Sequence, residues 1–295
     1  MSTSTAPAGG GPSRSRGSLV GYALLLPAVV VIALLVVLPL AVIARQSFEL
    51  SDPLGGDLGG FTWANYSKLA DPVYAKMMGY SLGMAALNAA VCLVVGYAVA
   101  YWISTRPVRR QPLLLMLVIV PFLTDFLVRT FAWITLLGSG GPYVKIARLL
   151  GFDPNSLVPS QLAVVMSLLY AFLPVAVFPI YASMRGIDPA LREAAADLGA
   201  GSWQIHRRIF IPLSASGIGS SVLLTFVPTV GVFVIPVLLG GGKHPLVGNL
   251  IVTLYTEFRN EPLGAAMSMV VLVLMLLSLA AVAGLPRLIT KWRNA

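Results

Sequence analysis

The chain has 295 residues, of which 57% are hydrophobic and 11% charged, with a formal net charge of +9. That balance excludes an ordinary soluble domain. The positive charge lies in short loops rather than in a basic-aromatic patch, which argues against nucleic acid as the partner. One cysteine, Cys92, stands alone inside an apolar block, so neither a disulfide nor a multi-cysteine metal site is available, and it reads as a small packing residue.

In chain order, Met1 to Gly17 is rich in Ser, Gly, Pro and Ala and reads as a disordered tail. Six apolar blocks follow: Leu19 to Ala44, Met78 to Ile103, Leu113 to Leu137, Leu162 to Met184, Ser214 to Leu239 and Leu263 to Leu285. Each reaches the roughly 20 residues a helix needs to cross a ~30 Å hydrocarbon core. The first is too long for the h-region of a signal peptide, so it is expected to remain as a span. This predicts an all-α membrane protein with six transmembrane helices. Residues 1–18 form the tail and residues 19–295 the membrane domain.

Lysine and arginine sort the loops. Twelve lie on the N-terminal side against three acids, net +9. Seven lie on the other side against seven acids, net zero. Both termini are therefore expected to be cytoplasmic. The outer loops carry DPLGGDLGG (Asp52 to Gly60), GSGGP (Gly138 to Pro142) and GGGKHP (Gly240 to Pro245). The last is not a P-loop: His244 follows Lys243 where Ser or Thr is required, and no strand precedes it. These stretches read as turns.

Inside the third block, Asp125 and Arg129 sit four apart and can pair on one helical face. They read either as pore lining or as a structural ion pair, since an isolated charge in a span is costly. The fourth block carries Tyr170, Pro174 and Pro179, and the fifth Phe226, Pro228, Gly231 and Pro236. Prolines free backbone carbonyls that neighbours or a water-filled cavity must satisfy, so these two interrupted spans are expected either to form a moving pore wall or to kink for packing. With Asp125, Arg129 and Trp133, the residues Tyr170, Phe226 and Pro228 are the predicted translocation path. Met267, Met269 and Met275 read as packing or lipid-facing residues.

Between the fourth and fifth blocks lies DPALREAAADLGAGSWQIHRRIFIPL, Asp188 to Leu213, too polar to cross a bilayer. Asp188 can cap a helix that starts at Pro189, and Gly199 stands where a left-handed residue would end it. Ser202 is expected to cap a second short helix, which Pro212 then restricts. His206, beside Arg207 and Arg208, reads as part of a basic membrane-facing rim. A stiff stub of this kind transmits displacement, where a flexible loop would absorb it. An amphipathic helix lying on the membrane surface is the plainer alternative.

Glu193, Ala194, Ala195, Gly199, Ile209 and Pro212 fit E-A-A, three residues, G, nine residues, I-x-[LI]-P. The pattern resembles the EAA loop of permease subunits in ATP-binding-cassette importers. Leu127 to Trp133 (LVRTFAW), Leu224 to Gly241 and Val247 to Ile251 (VGNLI) are similar to segments of the spermidine/putrescine permease group. The resemblance implies a type I importer permease fold in the bacterial inner membrane, with residues 185–213 as the coupling loop. Arg192, Glu193, Ala194, Ala195, Asp197, Gly199, Ile209 and Pro212 would meet the ATPase. It also implies a second permease, two ATPase subunits that bind ATP and Mg, and an extracytoplasmic binding protein. The cargo would be a polyamine or another small organic solute.

One departure bears on the cargo. Members of the group often carry acids where this chain has Val232 and Val237, so either the second permease supplies the anions or the cargo is not a polyamine. An ion-driven secondary transporter would show inverted repeats with buried ionisable residues at the midplane, and none is visible. No Ser/His/Asp set or HExxH supports an enzyme.

Overall fold

The computed structural model describes residues 16–51, 57–151, 157–243 and 245–293. Most of the expected tail, part of the Asp52 to Gly60 loop and His244 lie outside the described residues. Helix α1 (Arg16–Gln46) opens the structure and absorbs the last three residues assigned to the tail. A two-stranded hairpin, β1 (Leu50–Ser51) and β2 (Asp57–Gly59), follows. Short α2 (Ala64–Leu69) is tied back to the end of α1 by Asn65, whose Nδ2 donates to the carbonyls of Ser47 (3.0 Å) and Glu49 (2.9 Å). Helix α3 (Pro72–Ser104) starts on an Asp71 cap with proline at its first position, an arrangement that costs no hydrogen bond.

The third block is not one helix. It folds as α4 (Gln111–Ile119), a 3-10 turn over Val120–Leu123, and α5 (Phe126–Leu137), with an 86° bend at the break. Thr124 adopts an extended conformation (ψ 149°), and Asp125 then restarts the helix as its N-cap. The loop expected after it holds α6 (Pro142–Leu149). Helix α7 (Gln161–Arg185) runs unbroken through Pro174 and Pro179, so the expected interruption of the fourth span does not occur. The knuckle follows: α8 (Pro189–Asp197), α9 (Ser202–Ile205), a π turn (His206–Phe210) and α10 (Ile211–Leu213).

The fifth block divides into α11 (Ala215–Gly231) and α12 (Val234–Gly240). The break falls at Val232 and Phe233 rather than at Pro228, which α11 accommodates internally. After the Gly240 to Pro245 stretch, α13 (Val247–Thr256) precedes α14 (Glu261–Arg293), which closes the described chain. Turn geometry survives at Gly241 and Gly242, with φ of 61° and 69°. Among the described residues, four uninterrupted helices (α1, α3, α7 and α14) carry stretches long and apolar enough to cross a membrane. Two bent helix pairs, one across the third block and one from Ser202 to Gly231, also pass that test, which is consistent with six spans.

Helices α3, α7 and α11 form the central trio, and α1 packs against α14. The trio approaches closely because small residues face one another, as membrane helices require where lipid provides no hydrophobic drive. Gly96 lies on Ala176, and a methyl group at Gly217 would overlap Ser183 Oγ and the Pro179 carbonyl. A polar seam runs through the contact. Ser221, Thr225 and Thr229, spaced by four on α11, are fully buried. Thr225 Oγ1 donates to the Ser221 carbonyl and Thr229 Oγ1 to that of Thr225, while Asn88 Nδ2 donates to Thr229 Oγ1 (2.9 Å). Cys92 is buried beside Asn88, in the packing role expected of it.

The break in the fifth span is held from outside. Asn249 Nδ2 donates to the Phe233 carbonyl (2.7 Å), which otherwise accepts a long bond from the Val237 N–H of α12 (3.4 Å), and Asn249 Oδ1 accepts from the Leu246 N–H (2.9 Å). Non-helical backbone at membrane depth persists only when protein groups replace the missing bonds. Gly248 permits the approach: a Cβ there would stand 2.6 Å from the Gly231 carbonyl oxygen.

Candidate functional site

The knuckle is built by strictly local chemistry. Asp188 Oδ1 accepts from the Ala190 N–H (2.9 Å), and Pro189 occupies the first helical position. At the far end Gly199 takes φ +82°. Its N–H donates to the Ala196 carbonyl (2.9 Å) and that of Ala200 to Ala195 (3.0 Å), the paired bonds of a Schellman closure. Gly201, not Ser202, precedes α9, and its N–H donates to Gln204 Oε1 (3.2 Å). The glutamine reaches back to a donor that a helix start leaves open, so no serine cap is needed.

Pro212 does not end the second helix. The chain stays helical to Leu213 by widening into the π turn at His206–Phe210, with the Ile211 N–H bonded to the His206 carbonyl. A widened turn relieves the clash between a proline ring and the carbonyl four residues earlier. The axis then turns by 73° into α11 at Ser214, whose buried hydroxyl donates to the Phe210 carbonyl (2.6 Å). Ile205 and Phe210 anchor this segment from within, and Ile209 and Pro212 are half-buried beside them.

His206 corrects the sequence reading. It is not a rim residue: its ring lies 4.3 Å from that of Tyr101 and 5.7 Å from that of Phe210, and Nδ1 shares a hydrogen bond with Tyr97 Oη (2.9 Å). It therefore keys the knuckle to α3. Burial lowers its pKa below the ordinary 6.5. The unfolded chain keeps the ordinary value, so between the two values it binds a proton that the folded chain does not. Stability is then complete above about pH 6.5, declines as pH falls through it, and levels off below the folded value. Melting curves of detergent-purified protein between about pH 7.5 and about pH 5 should show this decline, and His206→Gln should remove it. A decline of equal size in both proteins contradicts the assignment.

Helix α8 is bare. Arg192, Glu193, Ala194 and Asp197 are exposed and Ala195 is half-buried, while Leu191, Leu198 (88%) and Trp203 (72%) present apolar surface beside the acidic face. Exposed large apolar side chains next to charges mark a contact surface, for another protein or for the membrane.

The residues predicted for the path separate into groups. Asp125 and Arg129 do not pair. Asp125 is exposed, and Oδ1 accepts from the N–H groups of Leu127 (2.8 Å) and Val128 (3.3 Å). Restarting the helix after the break takes up the carboxylate that the periodicity had assigned to an ion pair. Arg129 lies with its guanidinium 5.2 Å from the Phe122 ring centroid, and its buried Nε and Nη1 meet no acceptor. If Asp125 serves as a cap, Asp125→Asn keeps the melting temperature and Asp125→Ala lowers stability by about 1 kcal/mol, because asparagine caps as well as aspartate. Equal losses in both variants would point to the charge instead.

Trp133 on α5 and Tyr170 on α7 do meet, edge to face at 5.8 Å. Phe226 does not join them; it packs with Val230, Leu254 and Met267 in a different part of the core. Pro228 is exposed on α11. Sequence reasoning missed Asn249, Asn88 and the Ser221–Thr225–Thr229 seam. The i, i+4, i+8 spacing of the seam was readable, whereas the need for Asn249 emerges only once the fifth span is seen to break.

No protein-family model matches the sequence. Among curated proteins, the chain is 37% identical over 262 residues to the spermidine/putrescine transport system permease protein PotB of Escherichia coli (strain K12), covering 88% of this chain and 95% of that one. It is 35% identical over 246 residues to PotB of Haemophilus influenzae, covering 82% and 85%. Among solved structures, a chain of a bacterial alginate ABC transporter, in complex with its pentasaccharide-bound periplasmic protein, superposes with a TM-score of 0.76. That superposition has 17% identity and covers 93% of this chain and 96% of that chain. A bundle of long apolar helices with a bare helical knuckle thus coincides with these relatives over nearly its whole length. The chain belongs to the PotB family, as a transmembrane permease subunit of an ABC importer.

Proposed function

We propose that the chain forms half of the translocation path of a type I importer in the bacterial inner membrane and that its cargo is a polyamine. The observation that carries the cargo is the 37% identity over 88% of the chain to a spermidine/putrescine permease. The Trp133–Tyr170 pair supports it, because aromatic faces attract organic cations; Tyr170 is exposed and Trp133 half-buried. The exposed carboxylate of Asp125 lies eight residues before Trp133, across the start of α5.

In this reading both termini and the knuckle face the cytoplasm, in keeping with the +9 loop charge on that side. A second permease, identical or homologous, completes the path. An extracytoplasmic binding protein delivers the cargo, and two ATPase subunits, which hold ATP and Mg, receive Arg192, Glu193, Ala194, Ala195 and Asp197. ATP-driven closure moves α8, Gly199 closes the stub rigidly, and the 73° elbow at Ser214 turns the displacement into α11. The His206–Tyr97 bond carries the same displacement into α3.

Uptake of labelled spermidine or putrescine into proteoliposomes holding the complete importer tests the cargo. Saturable, ATP-dependent uptake is expected, and its absence with an active ATPase overturns the assignment. Val232, Val237 and the acceptor-free Arg129 support a second reading, a neutral or anionic organic solute, which competition by unlabelled organic anions would reveal.

A further inference from the structure

On the knuckle side, the loop between α3 and α4 folds against the last turn of α7 and the start of α8 around an open cleft of about 620 Å³. Arg106, Arg185 and Arg192 line it together with Gln111 and a single acid, Asp188. Three guanidinium groups against one carboxylate leave the cleft net positive.

The floor is built rather than incidental. Gln111 is 6% exposed; Nε2 donates to the carbonyls of Arg106 (2.7 Å) and Ser104 (3.3 Å), and Oε1 accepts from Tyr181 Oη (2.7 Å). These bonds hold the loop in shape whether or not the arginines are engaged. Arg106 is held in turn by the ring of Trp102, 4.5 Å below its guanidinium. Trp102 is half-exposed near the end of a membrane helix, the level at which tryptophan marks the boundary between hydrocarbon and water. The cleft therefore lies in the headgroup layer.

Immediately after Gln111 the outer face of α4 turns apolar and bare. Leu113, Met116, Leu117 and Val120 are 51–72% exposed and recur at helical spacing as one stripe. The stripe lies on the face of α4 opposite Gln111 and does not line the cleft; it marks α4 as a lipid-facing helix beside it. We propose that the cationic cleft, at headgroup level next to a lipid-facing helix, holds the phosphate of an anionic phospholipid. The inference rests on the membrane placement given above, with the knuckle on the side of the net-positive loops. Guanidinium groups bind phosphate oxygens in pairs, and basic pockets between membrane helices on that side select anionic headgroups. An acidic segment of the ATPase is the rival occupant. Arg192, which the ATPase receives in the reading above, lines the cleft at its α8 edge, whereas the apolar surface such a partner would cover, Leu198 and Trp203, does not.

The test is native mass spectrometry of the complete importer, taken from nanodiscs of phosphatidylcholine containing phosphatidylglycerol. Preferential retention of phosphatidylglycerol is expected. Removing both charges in R106Q/R185Q should weaken it about thirtyfold, about fivefold per arginine. R106K/R185K, which keeps the charge, should retain most of it. Equal retention of the two lipids, or retention unchanged in R106Q/R185Q, overturns the proposal. Competition by millimolar glycerol phosphate would reveal a soluble-anion site and overturn it too. Loss of the ATPase from R106Q/R185Q with lipid retention intact would assign the cleft to the rival occupant. Should that variant fail to fold, salt dependence in the unmodified importer decides: retention falling with ionic strength supports a phosphate site, and salt-independent retention refutes it. Lipid retention is read without cargo, so a wrong cargo assignment leaves the result standing.

Discussion

Gly199→Val leaves the permease inserted and uncouples it from ATP hydrolysis. Gly199 adopts φ +82°, and no other atom crowds the space its side chain would occupy, so the penalty is conformational alone. A side-chain-bearing residue in the left-handed region costs roughly 1–2 kcal/mol, with β-branched residues among the least tolerant. Helix α8 has little burial to offset that, because Ala195 is its half-buried residue and the rest of the helix is exposed. A shift of 1–2 kcal/mol lowers the population of the closed stub about five- to thirtyfold. Cargo uptake and cargo-stimulated ATP hydrolysis should fall by that order in proteoliposomes. Gly199→Asn, which tolerates the left-handed region better, should retain much of both. Wild-type uptake by the valine variant would remove the knuckle from the mechanism.

Gly217→Val acts on the fold itself. Its Cβ would overlap the Pro179 carbonyl and Ser183 Oγ, both on α7. The carbonyl cannot yield, because it belongs to the backbone of an unbroken 25-residue helix. The two helices must separate, at an overpacking cost of 1–3 kcal/mol or more, and the buried Ser221–Thr225–Thr229 seam loses its close cover. Melting of the detergent-purified protein should show a large loss of thermal stability. Gly96→Ala provides the scale: its added methyl group would stand 3.2 Å from Ala176 Cβ, a contact small shifts relieve, so its loss should be clearly smaller. The reverse order would mean that α7 and α11 are not packed as described.

The two variants separate the layers of the molecule that the sequence discloses unequally. Asp188, Pro189 and Gly199 each act on backbone within a few residues, so the first half of the knuckle could be read from composition and spacing. The second half could not, because the π turn at His206–Phe210 answers to a proline downstream and to Tyr97 and Tyr101 on α3. The Asp125–Arg129 pair failed for a related reason. Four-residue spacing implies a pair only if both residues are helical. Asp125, just after the 86° break, has ψ 144° and turns its carboxylate onto the N–H groups of Leu127 and Val128 as a cap.

By itself, then, the sequence determined six apolar blocks, the loop-charge asymmetry and the local closure of α8. These follow from transfer energies and neighbour chemistry that need no distant partner. Only the tertiary structure decided where the third and fifth spans break, which prolines a helix absorbs, and which aromatic residues meet. Each of those depends on groups that other elements of the chain bring together. Asn249 of α13 adds the shorter bond to the Phe233 carbonyl at the start of α12, and no local pattern announces it.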